Sequence, residues 1–518
     1  MGQILIICIM VFGITKAEKN QMRTRSFQII IQDTNQVQMC VSNYGKFGQT
    51  TSMNSGCWWP KGSGQSYIFG AGFWFSTIDS VTGDTLVTTG YEPYGGASEC
   101  APGLSGMAPQ NQYAIIYTNP DNWPPPAWVF PMAPQELLSH QDSWCCFNDS
   151  DYTYHIPGDT SIGIEIYQSV YEWTYPLLEN MTFFKYEFKN VTDRTLHQCY
   201  VGVLTDCDIG DEAFGNDLCT AIPGRFFVIS GDSIWVDNLA FQWQESPETG
   251  WDSFPGVIGF DLLQTPFDLQ WGQDKDQDGI PDQYERDSAY YWANVPPEFW
   301  DVDNDGVPDW RDPSENPQLE MTAFKRFTLG STPNTDPQRY LLLAGYNLNG
   351  QYQPFDTIIP PPNDQRFLMS AGPFDLPPDS IITIVFCIIF AYWKNHYQTP
   401  DTAIVLIDKL AQTFYDMNWS LEIQERQPQR QGKINLSIFP NPARNYATAR
   451  FHLQEPAVAS LKLYNILGQM VKNVFNGYQQ SGEHNIKFNT AGLPSGTYFL
   501  MLEIKDCKCS KVVTILSN

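Results

Sequence analysis

Thr497-Tyr498-Phe499-Leu500-Met501-Leu502-Glu503-Ile504 sets Tyr498, Leu500, Leu502 and Ile504 on one parity. Side chains alternate across a strand, so this spacing marks a half-buried β-strand rather than a helix. Working outward, Leu461 and Leu463 alternate with polar neighbours, as do Ile486 and Phe488. Turn formers separate these runs: Leu467-Gly468-Gln469, Gln480-Ser481-Gly482 and Leu493-Pro494-Ser495-Gly496. Gly supplies positive φ at such positions and Pro pre-sets the first turn residue. Several short strands at this spacing predict a small Ig-like antiparallel β-sandwich over 434–518. A segment of that length can hold a core of its own.

Three motifs follow one another in this segment: Phe439-Pro440-Asn441-Pro442-Ala443, Leu463-Tyr464-Asn465-Ile466-Leu467-Gly468-Gln469, and Leu493-Pro494-Ser495-Gly496-Thr497-Tyr498-Phe499. In this order they resemble the type A C-terminal sorting domain of the type IX secretion system of Bacteroidetes and related bacteria. The resemblance implies passage across the outer membrane, with the secretion machinery and its sorting peptidase as partners. Release, or attachment to surface lipopolysaccharide, would follow. Two departures stand out: the chain ends Ile515-Leu516-Ser517-Asn518 without a final basic residue, and Cys507-Lys508-Cys509 is unusual. An ordinary terminal adhesion sandwich is the alternative reading of the segment.

The remaining chain is long enough for further domains. The whole has 518 residues, 42% hydrophobic, 14% aromatic and only 17% charged, which suits large β cores. A formal charge of −27 repels phosphates and excludes nucleic acid as a partner. Met1–Ala17, with its apolar run from Ile4 to Ile14, reads as a signal peptide (residues 1–17) leading to the periplasm. That run is shorter than the roughly twenty apolar residues a spanning helix needs, and the run Ile381–Trp393 fails the same test, so no transmembrane anchor is expected. Eleven cysteines besides Cys8 suit an oxidising compartment. Cys199, Cys207 and Cys219 crowd one loop and are the disulfide candidates, while the absence of CxxC and the scarcity of His argue against zinc.

From 18 to 271 the chain alternates short β-like runs with Gly, Pro and Asn, predicting an all-β cargo region. The clearest runs are Phe27–Ile31, Tyr67–Phe75, Tyr113–Tyr117, Ile162–Tyr171, Phe183–Phe188, Tyr200–Leu204 and Phe226–Ile229. No repeat of blade length favours a propeller. Asn43–Gly48 and Gly70–Trp74 resemble the openings of uncharacterised Bacteroidetes-type exported proteins, a likeness that brings no activity with it. Over 317–423 the β pattern continues at Leu319–Leu329, Tyr340–Tyr346 and Ile381–Trp393. One helix is then expected over 400–417: Thr399 caps it, Pro400 suits the first turn and Asp401 favours its positive end. Ala403, Ile407, Leu410, Ala411, Phe414 and Met417 share its apolar face. Residues 424–433 read as a linker, the expected place of processing. The fold expected is mainly β: a sandwich-like cargo region with an acidic insertion and one C-terminal helix, then the small terminal sandwich.

That insertion, 272–316, carries two acidic loops. Asp274, Asp276, Asp278, Asp282 and Glu285 fall at positions 1, 3, 5, 9 and 12 of a calcium loop, with Gly279 at 6 and the Ile280 carbonyl at 7. Alternate oxygens converge on one ion while Gly permits the sharp turn. Asp301, Asp303, Asp305, Asp309 and Asp312, with Gly306 and the Val307 carbonyl, repeat the pattern. Pro281 and Pro308 exclude EF-hand helices, and the tandem loops resemble thrombospondin type 3 repeats. Without an ion they would be acidic turns of high electrostatic cost. Extracellular modules bind calcium with constants of about 10⁻⁴–10⁻³ M. At roughly millimolar calcium, each site then adds only ~0.5–1.5 kcal/mol. The ion is expected to stiffen, not to catalyse.

Two further clusters invite chemistry. Asp206, Asp208, Asp211, Glu212 and Asp217 could form a cation site, the acidic pair of a glycosidase, or a solvated loop pinned by Cys207 and Cys219. Trp58, Trp59, Trp123, Trp128 and Trp144 could stack on sugar, or simply fill a core. No HExxH, GxSxG or P-loop occurs. The sequence thus predicts a secreted or cell-surface calcium-binding module with a structural, adhesive or ligand-binding role, its ligand a glycan or protein. A carbohydrate-active hydrolase using the 206–217 carboxylates is the alternative.

Overall fold

A computed structural model describes residues 27–515 apart from 94–95, 152–153, 156–159, 211–213, 230–231, 248–254, 268–317, 394–398, 420–435, 454–455, 466–469, 495 and 505–506. The chain divides into two compact units, 1–405 and 406–518. The expected signal peptide and the 424–433 linker lie outside the described residues.

The first unit holds two large antiparallel sheets. One runs in the order Ala323–Phe327, Arg366–Leu376, Leu196–Asp206, Gly70–Ile78, then the shorter strands Lys46–Phe47, Gln38–Ser42, Cys57–Trp58 and Ser66–Ile68. The other runs Asp217–Ile229, Asp232–Gln244, Val257–Gln264, Ile381–Ala391, Met181–Asn190, Ile164–Glu172, Gln141–Asn148 and Ala101–Pro102. Buried aromatic residues fill the space between them. Phe73 meets Phe147 at 5.9 Å and Phe75 meets Phe188 at 5.4 Å, both stacked, and Phe47 lies 4.7 Å from Phe184. Each of these rings is fully buried, worth about 1.5–3 kcal/mol apiece against exposure. Along the second sheet, Phe184 and Phe386 are register partners with parallel rings 5.0 Å apart.

Most expected runs fall on strands of these sheets: Phe183–Phe188, Tyr200–Leu204 and Phe226–Ile229 lie within longer ones, whereas of Leu319–Leu329 only Ala323–Phe327 is strand. Tyr113–Tyr117 is an exception, with only Tyr117–Thr118 pairing as a strand. The Tyr340–Tyr346 run is another, since Asp336–Leu343 is an α-helix. Tyr340-Leu341-Leu342-Leu343-Ala344 is a short continuous apolar run, which periodicity alone assigns to neither element. Pro337 in the first turn and Gly345, at φ +82°, beyond the end are the helix signals that decide it. The expected C-terminal helix spans Pro400–Asp416. Ala403, Leu410, Ala411 and Phe414 are buried as expected, but Ile404 and Val405 are buried where Ile407 is only partly so. Ile404 lies against the Val257–Gln264 strand: a Cβ on Gly259 would come within 2.9 Å of it.

The second unit contains the terminal sandwich. Leu436–Phe439, Tyr446–Leu453 and Gly482–Asn489 form one sheet. Met470–Gln479, Ala457–Asn465, Gly496–Ile504 and Cys507–Ile515 form the other. Leu461 and Leu502 pair in register, and Leu461, Leu463, Leu500 and Leu502 are all fully buried. The alternation that opened the sequence reading is therefore the core face of this sandwich.

Candidate metal centre

The Leu196–Asp206 strand ends between two neighbours, and its last residue pairs with Gly70 on one side and Arg366 on the other. The chain then crosses from the first sheet to the second, which it enters at Asp217. Asp206 and Asp217, at the two ends of this crossing, have no exposed surface. Asp217 is also bridged to Asn363, whose N–H donates to its carbonyl at 3.1 Å. That bridge brings the segment before Arg366, and with it Asp364, to the same place.

Asp206, Asp208 and Asp364 gather here, each with a carboxylate oxygen within 4.8 Å of the others. Arg366 forms ion pairs with two of them: Nε lies 3.1 Å from Asp206 Oδ2 without making a hydrogen bond, and Nη1 donates to Asp364 Oδ1 at 2.7 Å. The Tyr91 hydroxyl donates to Asp206 Oδ2 at 3.1 Å. Gly70 makes room for that ring, since a Cβ there would lie 2.4 Å from it. Next to the cluster, Asp217 Oδ2 accepts from the Gln242 amide at 2.7 Å and the Ile209 N–H at 3.2 Å. Asp206 Oδ1, Asp208 Oδ1 and Asp217 Oδ1 are buried with no hydrogen-bond partner, each a cost of about 1–3 kcal/mol or more if it carries charge. Burial pushes the Asp206 carboxyl up to about 8, against the pull of Arg366. Burial, then the Asp364 charge, raises Asp208 to about 6. Burial holds Asp217 well above the carboxylate range.

Asp206, Asp208 and Asp217 stand at the crossing as expected, but they are not a solvated loop. Asp211 and Glu212 lie outside the described residues. Asp364 and Arg366 were not anticipated; their signal is the Asn363-Asp364-Gln365-Arg366 run opening a strand, visible only once that strand is known to neighbour Leu196–Asp206. Cys207 and Cys219 do not pin the crossing as a disulfide, because both are buried free thiols. Cys199 lies on the Leu196–Asp206 strand and Cys219 on Asp217–Ile229, in different sheets rather than one loop. The five indoles do not share one exposed platform, although Trp58 and Trp123 are half-buried. Trp59 and Trp144 are core residues, Trp59 donating to Asn180 Oδ1 at 2.8 Å. Trp128 is exposed and packs edge-on against Tyr113. The calcium-loop residues Asp274, Asp276, Asp278, Ile280, Asp282, Glu285, Asp301, Asp303, Asp305, Val307, Asp309 and Asp312 lie outside the described residues.

Residues 437–515 match the family model of the secretion system C-terminal sorting domain. The chain carries a type IX sorting domain. It is accordingly an exported protein, secreted or held at the cell surface, and is handled by the type IX machinery. Among the described residues no helix is long and apolar enough to cross a membrane. No curated protein matches the sequence. Among solved structures, a polysaccharide lyase overlaps 95% of this chain and 46% of its own at 8% identity and a TM-score of 0.21. Dimeric latent PorU from Porphyromonas gingivalis overlaps 73% of this chain and 32% of its own at 8% identity and a TM-score of 0.15. The chain thus spans less than half of either, and superpositions this loose carry no argument about fold or activity.

Proposed function

We propose that this exported chain is a structural, adhesive or ligand-binding β module whose 274–312 loops take calcium as a stiffener. The observation that carries the reading is the filled interior of the cargo sandwich, where stacked aromatic rings occupy the space between the sheets. The hydrolase alternative needs two carboxyls that a sugar can reach. Asp206 and Asp217 are instead wholly buried, and Asp208 keeps only partial exposure beside the Asp206–Arg366 ion pair. Five acidic side chains per loop at calcium-ligand spacing support the ion.

Calorimetric titration of the full chain with calcium, beside Asp278→Asn and Asp305→Asn, tests the loops. Each variant should lose one binding event and melt at a lower temperature when calcium is present. Unchanged titrations would reduce the loops to acidic turns. Turnover on a panel of glycans or peptides would overturn the non-enzymatic role. Processing is expected within 424–433, so the mature mass should exclude 434–518. Surface lipopolysaccharide, and a glycan or protein ligand, remain the proposed partners outside the secretion machinery.

A further inference from the structure

The acidic centre at the sheet crossing is short of positive charge. Three carboxylates, Asp206, Asp208 and Asp364, stand against the one guanidinium of Arg366, an excess of two negative charges when all are ionised. The second, independent observation is the orphaned oxygen of a side chain with no exposed surface. Asp206 turns Oδ2 to Arg366 and Tyr91, while its Oδ1 meets no donor. Asp208 Oδ1 is buried and unpartnered in the same way. Buried carboxylates are ordinarily paired or bound to a metal.

We propose that Asp206, Asp208 and Asp364 hold one calcium ion beside Arg366, clasping the crossing between the two sheets to the 363–366 segment. A divalent ion brings three carboxylates and one guanidinium to neutrality, which sodium or potassium does not. The donors are all hard oxygens, with no His or Cys to favour zinc or copper. Ligand atoms within 4.8 Å of one another fit inside the roughly 5 Å that opposed calcium bonds of about 2.3–2.6 Å span, and calcium accepts an irregular shell of oxygens. Magnesium demands near-ideal octahedral geometry and gives up its waters reluctantly, which disfavours it at a buried site. The site is separate from the 274–312 loops and does not depend on them. Asp217 is left outside the ligand set, its Oδ2 held by Gln242 and Ile209. The ion would fix the end of the Leu196–Asp206 strand against its neighbours.

The test uses the full chain carrying both Asp278→Asn and Asp305→Asn, so that a failure of the loop reading does not disguise a failure of this one. The protein is stripped with chelator, dialysed against calcium chloride, and its metal content measured. One calcium per chain should remain, and magnesium at equal concentration should not replace it. Adding Asp208→Asn or Asp364→Asn should weaken retention at least tenfold, with circular dichroism confirming the fold. Asp208 is partly exposed, so its variant is the one expected to fold, and Asp208→Glu should restore part of the affinity. Calcium retained equally by Asp208→Asn and Asp364→Asn would overturn the proposal. So would the absence of bound calcium, with an infrared protonated-carboxyl band at neutral pH that Asp206→Asn removes, because a proton would then do the ion's work.

Discussion

Arg366 Nε lies 3.1 Å from Asp206 Oδ2 across two paired strands, and Asp206 has no exposed surface. Removing one partner of such a pair strands the other in a low-dielectric interior, typically at about 3–5 kcal/mol. Arg366→Met keeps most of the side-chain volume and should lower the urea midpoint by that order. Without the guanidinium the neighbouring carboxylates hold their protons to higher pH. The folded variant then carries protons that its unfolded chain releases, and its deficit against the parent should be larger at pH 9 than at pH 6. Equal deficits at the two values would mean that Arg366 contributes packing alone.

Glu172 offers a cleaner pH experiment away from this centre. Burial pushes its carboxyl from an ordinary 4.5 up to about 8, although Thr182 Oγ1 donates to it at 2.8 Å and the Thr34 N–H at 3.0 Å. A folded value raised above the unfolded one means stability that is fully present below pH 4.5 and is lost as pH rises through about 8. One such group contributes a slope of about 1.4 kcal/mol per pH unit within that window. Glu172→Gln should remove this slope from unfolding free energies measured between pH 5 and pH 8. An unchanged slope would assign the dependence to other groups.

These two predictions rest on residues that the sequence displays very differently. The β-strands are legible because alternation and Gly/Pro punctuation are local signals, as in Tyr498, Leu500 and Leu502. The terminal sandwich is legible twice over, by its pattern and by its motifs. Tyr340–Tyr346 misleads because burial on a helix against a sheet yields the same apolar run as a buried strand. The centre is half legible: Asp206, Asp208 and Asp217 sit close together in the chain. Asp364 and Arg366 join them only through the register of Leu196–Asp206 with Arg366–Leu376, a long-range pairing that no local pattern reports. Glu172 gives no sign in sequence of its burial.

Gly70 bears on the same centre from the other side. It pairs with Asp206 and takes the Tyr91 ring where a side chain would stand, with only 2.4 Å to a built Cβ. Gly70→Ala must displace a fully buried tyrosine, an overpacking cost of about 1–3 kcal/mol. Denaturant unfolding should show that loss. Combining the change with Tyr91→Leu, which removes the ring, should recover part of it relative to Tyr91→Leu alone. Full additivity of the two substitutions would place the strain elsewhere.

The sorting domain allows recognition of its fold to be separated from recognition of its surface. Leu500 is fully buried and belongs to the core that Leu461, Leu463, Leu502 and Val513 share. Leu500→Ala should cost about 2–5 kcal/mol, a large fraction of the ~5–15 kcal/mol that holds a domain together. Lys487 is exposed and sits 3.7 Å over the Tyr446 ring, a contact worth about 0.5–1 kcal/mol at such a site. Lys487→Ala should leave the domain folded. Export is then measured as the share of protein reaching the medium or the cell surface, against full-length precursor kept inside. A strong export defect in Leu500→Ala with little in Lys487→Ala means that the machinery needs the folded sandwich and not this part of its face. The reverse pattern would place recognition on the Tyr446–Lys487 surface and show that a weakened core is tolerated.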